Sequence, residues 1–403
     1  MRLIVLTTTF PKHKNDFGTP RFVYDLAYNI SEKGIYTLTL TPDRPDSLIL
    51  KEKISDNFHI YRFRYFFKKL QNLTSGEGIV PTLKKSKFNY ILIPFLLCCQ
   101  IFFAMKYIKK NKIDIINSHW LVPSGFIGAV FQRLFKRKNF VTVHAAGLYL
   151  LEKLAFGKFF AKFIYENSTR ILVVSNFGRE KFYLLLSKPN RKEFEKKVIV
   201  IPMGVNITNI TQIKGTQLLD NNKFNVLFIG RLAEKKGLKF AIEALRDIKD
   251  LDIQFHICGD GVLRNKLEKT VSNYKLDEKI KFYGRISEEL KKDLLNSSDI
   301  LLVPSIETAE GDKEGLPVVI LEALAAGLPV VGCDVGGIRD GLIHNKTGLL
   351  IEQKNIEEIK NAIEKLYKNK EMLINFKKNA KKHSINFDWS EISKKYIMEM
   401  KSS

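Results

Sequence analysis

Two glutamates, Glu314 and Glu322, lie in the most chemically suggestive stretch of this 403-residue sequence, Gly311 to Gly337, GDKEGLPVVILEALAAGLPVVGCDVGG. The stretch follows an apolar run, Ile300–Val303, that predicts a strand, so it begins at that strand's carboxyl end. Pro317 suits the first position of a helix, and Gly327 followed by Pro329 suits its end, which predicts a short buried helix over Val318–Ala326. The start of that helix, from Val318 after Leu316-Pro317, then offers free backbone amides and a positive dipole end, a site for a phosphate. Glu322 falls a little over one turn inside. A carboxylate in so apolar a helix is costly to bury without donors. The vicinal hydroxyls of a ribose would supply two; a cap or pairing with a nearby backbone group is the alternative. A second cluster, Gly230-Arg231-Leu232-Ala233-Glu234-Lys235-Lys236-Gly237, follows the strand-like run Val226–Ile229. Arg231 and Lys236 bracket a strand-to-helix turn there. Such a pair can clamp a diphosphate and offset the charge growing on a leaving nucleotide, or can simply line a solvated loop.

The elements that must position these residues follow a repeated rhythm. In the first half, Leu3–Leu6, Ile35–Leu40, Ile113–Asn117, Phe140–Val143, Ile171–Val174 and Val198–Ile201 read as strands, with helical patterns at Arg21–Glu32, Ile91–Lys109, Phe126–Phe135 and Phe177–Leu186. In the second half, Val226–Ile229, Ile253–Cys258, Ile280–Tyr283, Ile300–Val303, Val330–Gly332 and Leu349–Ile351 do the same. Continuous apolar strands separated by helices predict parallel sheets covered on both faces. Two doubly wound sheets would bind ligands at the carboxyl ends of their strands, in a cleft between them. The polar stretch Asn206–Asn225 is the expected linker. The apolar stripe Phe387, Trp389, Ile392, Tyr396 and Ile397 predicts a docking helix at the end.

Composition narrows the class. Apolar content of 45% and charged content of 27% fit a globular protein with two ordinary domains. The four cysteines show no metal-ligand spacing, which points to a reducing, cytoplasmic setting. The apolar run Tyr90–Met105 holds Pro94 and Gln100 and is shorter than the roughly 20 residues a membrane span needs, so it reads as a buried or interfacial helix. Of the formal charge of +23, residues 1–205 carry +20. That excess favours phosphate-bearing partners. The mixed run from Tyr61 through Arg62, Phe63, Arg64, Tyr65, Phe66, Phe67 and Lys68 to Lys69 has the composition of an anionic membrane contact, or of a strand with its flanking loop.

Jointly, Glu314-Gly315-Leu316-Pro317…Glu322 and Gly230-Arg231…Lys236-Gly237 resemble family 4 of the retaining glycosyltransferases (the group 1 type), whose fold is GT-B. The resemblance spans nearly the whole chain. Pro202-Met203-Gly204-Val205-Asn206 resembles the family's interdomain segment, Val335-Gly336-Gly337-Ile338 and Gly348-Leu349-Leu350 its C-terminal motifs, and Phe387-Asp388-Trp389 its final helix. It implies an α/β fold of two Rossmann-like domains facing across a cleft. Residues 1–205 would bind the acceptor, 206–383 the nucleotide sugar, and 384–403 would cross back to the first domain. By the same resemblance Arg231 and Lys236, with Gly230, bind the donor diphosphate. Glu322 holds the ribose, Glu314 contacts the transferred sugar and supports the transition state, and backbone near Gly284-Arg285-Ile286 meets the base. Leu316, Pro317 and Val318 complete the donor site. His144 matches a family histidine facing the donor sugar, although the sequence continues Ala145-Ala146-Gly147 with the glycine displaced and no acidic residue after it. Gly18, in the loop after the first strand, stands where the family has a glycine-rich loop near acceptor or phosphate. His119 and Trp120, after the strand Ile113–Asn117, either contact the acceptor or pack at a strand end.

The implied reaction moves a sugar from a nucleotide diphosphate to an acceptor hydroxyl with retention. No cofactor and no metal is expected. The one Asp-x-Asp, Asp250-Leu251-Asp252, precedes the strand Ile253–Cys258 and so falls away from the ligand end, as a solvated turn. The form Gly311-Asp312-Lys313-Glu314-Gly315-Leu316-Pro317 resembles enzymes of bacterial exopolysaccharide and lipopolysaccharide assembly. The expected partners are therefore a nucleotide-sugar donor, a glycan or lipid-linked acceptor and an anionic membrane surface, with the protein cytoplasmic or peripheral on the inner membrane face. Two rivals remain at this level. One is a nucleotide-sugar epimerase or phosphorylase on the same scaffold. The other is a non-catalytic protein whose basic half grips nucleic acid or membrane, although no nucleic-acid motif is present.

Overall fold

The structure, a computed structural model, describes residues 1–402 except 14, 15, 17, 18, 48, 75–78, 80, 81, 84, 85 and 213–218. Two compact units make up the chain. One comprises Met1–Met203 with Trp389–Ser403, the other Gly204–Asp388.

The first unit is built on an eight-stranded sheet. Its strands are β1 (Arg2–Leu6), β2 (Tyr36–Pro42), β3 (Lys51–Lys53), β4 (Phe58–Phe63), β5 (Ile115–His119), β6 (Lys138–Val143), β7 (Arg170–Val173) and β8 (Val198–Val200), in the order β3-β4-β2-β1-β5-β6-β7-β8. All pairings are parallel except β3 with β4. The strand periodicity of two divides β1 between two cores. Leu3 and Val5 meet Val23, Leu26 and Ile30 of the helix Phe22–Ser31. Ile4 and Leu6 meet the helices Leu92–Lys110 and Phe126–Phe135 on the opposite face. The helix Trp389–Lys401 joins the first of these cores through Trp389, Ile392, Tyr396, Ile397 and Met400.

The second unit has a six-stranded, all-parallel sheet. Its strands are β9 (Phe224–Ile229), β10 (Ile253–Cys258), β11 (Ile280–Gly284), β12 (Ile300–Val303), β13 (Val330–Cys333) and β14 (Gly348–Ile351), ordered β11-β10-β9-β12-β13-β14. Its two halves run outward from β9 and β12, so their carboxyl-end loops splay apart at that point and leave room for a ligand. The doubly wound α/β architecture expected from the periodicity is present in both units.

Several elements differ from expectation. The run Tyr61–Lys69, read as a membrane contact or as a strand with its flanking loop, begins inside β4, and β3 was not expected. In that run Arg62, Phe63 and Tyr65 are buried, because β4 is an inner strand covered on both sides. The stretch expected as a linker belongs to the second unit, which begins at Gly204, and its described part opens with a short helix, Ile207–Thr211, capped by the Asn206 side chain. Pro317 is the N-cap (ψ 124°) rather than the first helical residue, and the helix begins at Val318. It ends as expected, on left-handed Gly327 (φ 77°). Asp250 and Asp252 are exposed in the turn before β10. All four cysteines are free, and burial pushes the Cys258 and Cys333 thiols up to about 12.

Candidate active site

In the second unit, backbone hydrogen bonds lace together the loops that leave the carboxyl ends of the strands. Gly230, directly after β9, donates its N–H to Cys258 O at 2.9 Å, and Gly259 donates to Gly284 O at 2.7 Å. Glycine is required where these loops cross. A Cβ on Gly259 (φ 137°) would sit 1.9 Å from Gly230 O, and one on Gly237 (φ 65°) 1.8 Å from Pro304 O. The turn Gly230–Gly237 is thus pressed against the segment following β12, where Ile306 N–H also bonds Lys235 O at 2.8 Å.

That contact places the basic turn against the acidic loop. Lys236 Nζ lies 3.2 Å from Glu314 Oε1, and Lys235 Nζ lies 3.8 Å from the same oxygen and 3.3 Å from Asp312 Oδ2. Burial raises the Glu314 pKa, but the two ammoniums outweigh it and hold the carboxyl below its ordinary value, so Glu314 is ionised at neutral pH. Behind it, Gly337 N–H bonds Glu314 O at 3.2 Å, and a Cβ on Gly336 (φ 61°) would sit 2.0 Å from that carbonyl. The pair Gly336-Gly337 therefore lets the loop Glu314-Gly315-Leu316 pass close, delivering it to the amino end of the helix Val318–Ala326. Arg231 is exposed beside Gly230, and its guanidinium takes no part in the ion pairs of Lys235 and Lys236. Ile286, half-buried after β11, packs on the unit's core.

Glu322 meets a side chain that sequence reasoning did not name. Its Oε1 accepts from Lys291 Nζ at 2.9 Å, and Lys291, on the helix Glu288–Ser297, also meets Glu288 Oε2 at 2.8 Å. Burial lowers the Lys291 pKa, yet the two carboxylates outweigh that effect and keep the ammonium above its ordinary value. Neither a cap nor a backbone group satisfies Glu322; a lysine remote in sequence does.

The first unit presents its own cluster at the ends of β5 and β6. Asn117 Nδ2 donates to Phe140 O and to Thr142 Oγ1, both at 3.0 Å. Its Oδ1 therefore faces His119 Nε2, at 3.1 Å, as an acceptor. His119 must carry its proton on Nε2, so its Nδ1 accepts from His144 Nε2 at 3.1 Å. Burial drives His119 well below the usual histidine range, with His144 adding to the effect, and drives His144 down to about 3. Both imidazoles are neutral at neutral pH. His144 is flanked by the rings of Trp120 and Phe22, with centroids 4.7 and 4.9 Å away. Trp120 is held at φ 66°, ψ 147°, a conformation that side-chain-bearing residues avoid and that needs support from its surroundings. Gly18 lies outside the described residues. Of the described residues around it, Pro11 O accepts from Arg62 Nη2 and Thr19 Oγ1 from Arg44 Nη1, both at 3.0 Å.

The structure thus gathers Gly230, Lys236, Glu314, Leu316, Pro317 and Val318 at one end of one sheet, and His119, Trp120 and His144 in a unit of their own. Sequence reasoning missed Lys235, Lys291, Asn117 and the loop Gly259-Asp260-Gly261. Only the last carried a local signal, two glycines directly after an apolar strand.

Two family models cover adjoining stretches of the chain, glycosyltransferase family 4 over residues 18–209 and glycosyl transferases group 1 over residues 209–383. An uncharacterized glycosyltransferase of Methanocaldococcus jannaschii is 29% identical over 77% of this chain and 80% of its own length. The amylovoran biosynthesis glycosyltransferase AmsK of Erwinia amylovora is 29% identical over 62% of each chain. Among solved structures, Anabaena HepE in complex with UDP superposes with a TM-score of 0.72 at 17% identity, covering all of both chains.

Proposed function

As this chain belongs to glycosyltransferase family 4, of the glycosyl transferases group 1 type and with the GT-B fold, we propose that it transfers a sugar from a nucleoside diphosphate sugar to an acceptor hydroxyl with retention of anomeric configuration. The observation that carries this reading is the Glu314 carboxylate, ionised against Lys236 at the entrance to the buried helix Val318–Ala326. In the proposed complex the amides of that helix's first turn, Lys236 and Arg231 receive the diphosphate, and they neutralise it as the bond to the sugar breaks. Lys236 then serves two anions, the donor phosphate and Glu314, and so couples diphosphate binding to the position of the carboxylate. Lys291 engages one Glu322 oxygen and leaves the other for the ribose hydroxyls. Ile286 borders the base.

Chemically, the acceptor oxygen forms its bond to the anomeric carbon on the face from which the diphosphate departs. The acceptor's proton passes to the departing phosphate oxygen. Charge on that oxygen is met by protein cations and amides, and the reading includes no metal and no other cofactor. A neutral His144 contributes as a hydrogen-bonding group, not as an imidazolium acid. The acceptor is assigned to a surface-polysaccharide pathway on the cytoplasmic side, by analogy with the named role of AmsK in amylovoran biosynthesis, and the donor to a nucleotide sugar of the kind suggested by HepE with UDP.

A thermal-shift screen with UDP-, GDP- and ADP-sugars tests the donor class. One nucleotide series should raise the unfolding temperature in the parent protein. Arg231→Ala and Glu322→Ala should each abolish that shift while unfolding cooperatively on their own. An undiminished shift in both variants would remove the donor site from this place.

A further inference from the structure

The helix Leu92–Lys110 lies between β4 and β5, strands of one sheet, and such a crossover must pack on the sheet's face. It does so through Leu92, Leu96, Gln100, Ala104 and Ile108, a buried stripe of one residue per turn. On a helix surrounded by water the opposite face is polar. Here it is apolar for three turns: Ile91, Phe95, Ile101 and Phe102 are 56%, 46%, 37% and 58% exposed, and Cys98 is exposed among them. The patch continues onto the preceding loop. The Phe66 ring packs edge-on against Phe95 and Phe67, with centroids 5.1 Å away in each case, and Phe67 stands 73% exposed. Cations frame these rings: Lys69 and Lys87 at one end, Lys106, Lys109 and Lys110 at the other, all exposed. The sequence has no acidic residue between Glu77 and Asp114.

We infer that this face is a docking surface for an anionic lipid bilayer, on which the helix lies in the interfacial plane with Phe67, Phe95 and Phe102 entering the headgroup boundary. The segment Lys87–Lys110 is long and apolar enough to cross a membrane. Crossing would strip its buried stripe from β2 and β4 and leave Leu38, Leu40 and Phe63 bare, so it lies flat instead. The lysines select the charge of the occupant, since ammonium groups at the rim meet lipid phosphates while the rings displace water. The surface belongs to the first unit alone, and the inference does not rest on the transfer reaction.

Flotation of the full-length protein with vesicles of phosphatidylcholine, with and without phosphatidylglycerol, tests it. The protein should float with the anionic vesicles at low salt and much less in their absence. Phe95→Ser with Phe102→Ser should weaken that binding by about tenfold or more. Lys106→Glu with Lys109→Glu and Lys110→Glu should weaken it more, about severalfold for each lysine and so about a hundredfold for the three. These positions are exposed, so thermal unfolding and any nucleotide-induced shift should persist and report an intact fold. Failure of the parent protein to float, equal flotation of the variants, or a dimer in sedimentation that the two phenylalanine changes dissolve would each overturn the inference, the last in favour of a second copy as occupant.

Discussion

His119 and His144 form a buried pair whose protons are ordered by Asn117, and this has a consequence for acid stability. Burial holds the native pKa of each below the ordinary histidine value of 6.5, at about 3 for His144. Between those limits the unfolded chain binds more protons than the native one, so stability is full above about pH 6.5 and falls as pH falls toward the native value. The slope approaches about 1.4 kcal/mol per pH unit for each histidine while only the unfolded form titrates. Denaturant unfolding at a series of pH values should show this decline between about pH 6 and pH 5, above the range in which ordinary carboxylates dominate. His119→Asn combined with His144→Gln should make it shallower by the share of two histidines, the remainder belonging to other histidines that burial lowers, His256 (to about 4) and His383; an unchanged slope would mean the pair is hydrated. At this scale the sequence was partly legible. Glu314 and Lys236 could be named from their spacing to glycine and proline. Lys291 could not, because a lysine on an amphipathic helix has the same surroundings in sequence whether it meets water or a buried carboxylate.

The loops of the second unit show how secondary elements locate those side chains. Gly311 and Gly336 share the left-handed conformation, at φ 77° and 61°, but differ in space. Nothing lies within 4 Å of a Cβ built on Gly311, whereas Gly336 would drive its Cβ into the Glu314 carbonyl. Gly311→Ala should therefore cost only the conformational term, about 1 kcal/mol. Gly336→Ala should cost more than that and displace the Glu314 loop, seen as a lower unfolding temperature together with a weakened nucleotide-induced shift. Equal effects of the two changes would show that the crossing of the loops is slack. Element positions were the part most open to reading, since parallel strands buried on both faces are continuous apolar runs. β3 escaped because Lys51-Glu52-Lys53 is wholly charged, and β4 was read only as one of two alternatives for the run from Tyr61, because aromatic and charged residues mix there. The pattern fits a solvated ribbon as well as an inner strand whose Arg62 is buried onto Glu52 and the Pro11 carbonyl.

Over the whole molecule, charge and connectivity are unevenly shared. The first unit holds most of the positive excess and is discontinuous in sequence, because Trp389–Ser403 returns to it after the second unit is complete. Val205 N–H bonds Phe387 O at 2.8 Å, so the two points where the chain passes between units are neighbours. Ile392 is fully buried in the first unit's core. Ile392→Ala should cost about 2–5 kcal/mol, and hydrogen exchange should speed up in β1 and the helix Phe22–Ser31 while the strands of the second unit keep their protection. Uniform acceleration across both units would contradict this assignment of the helix. The return of the chain also sets an order of events during synthesis. A ribosome that has delivered the first 203 residues has made every strand of the larger sheet, yet the groove lined by Leu3, Val23 and Ile201 stays open until Trp389–Lys401 has also left the exit tunnel. While the intervening unit is being translated that apolar groove is uncovered, and a chain without Trp389–Lys401 would leave it so.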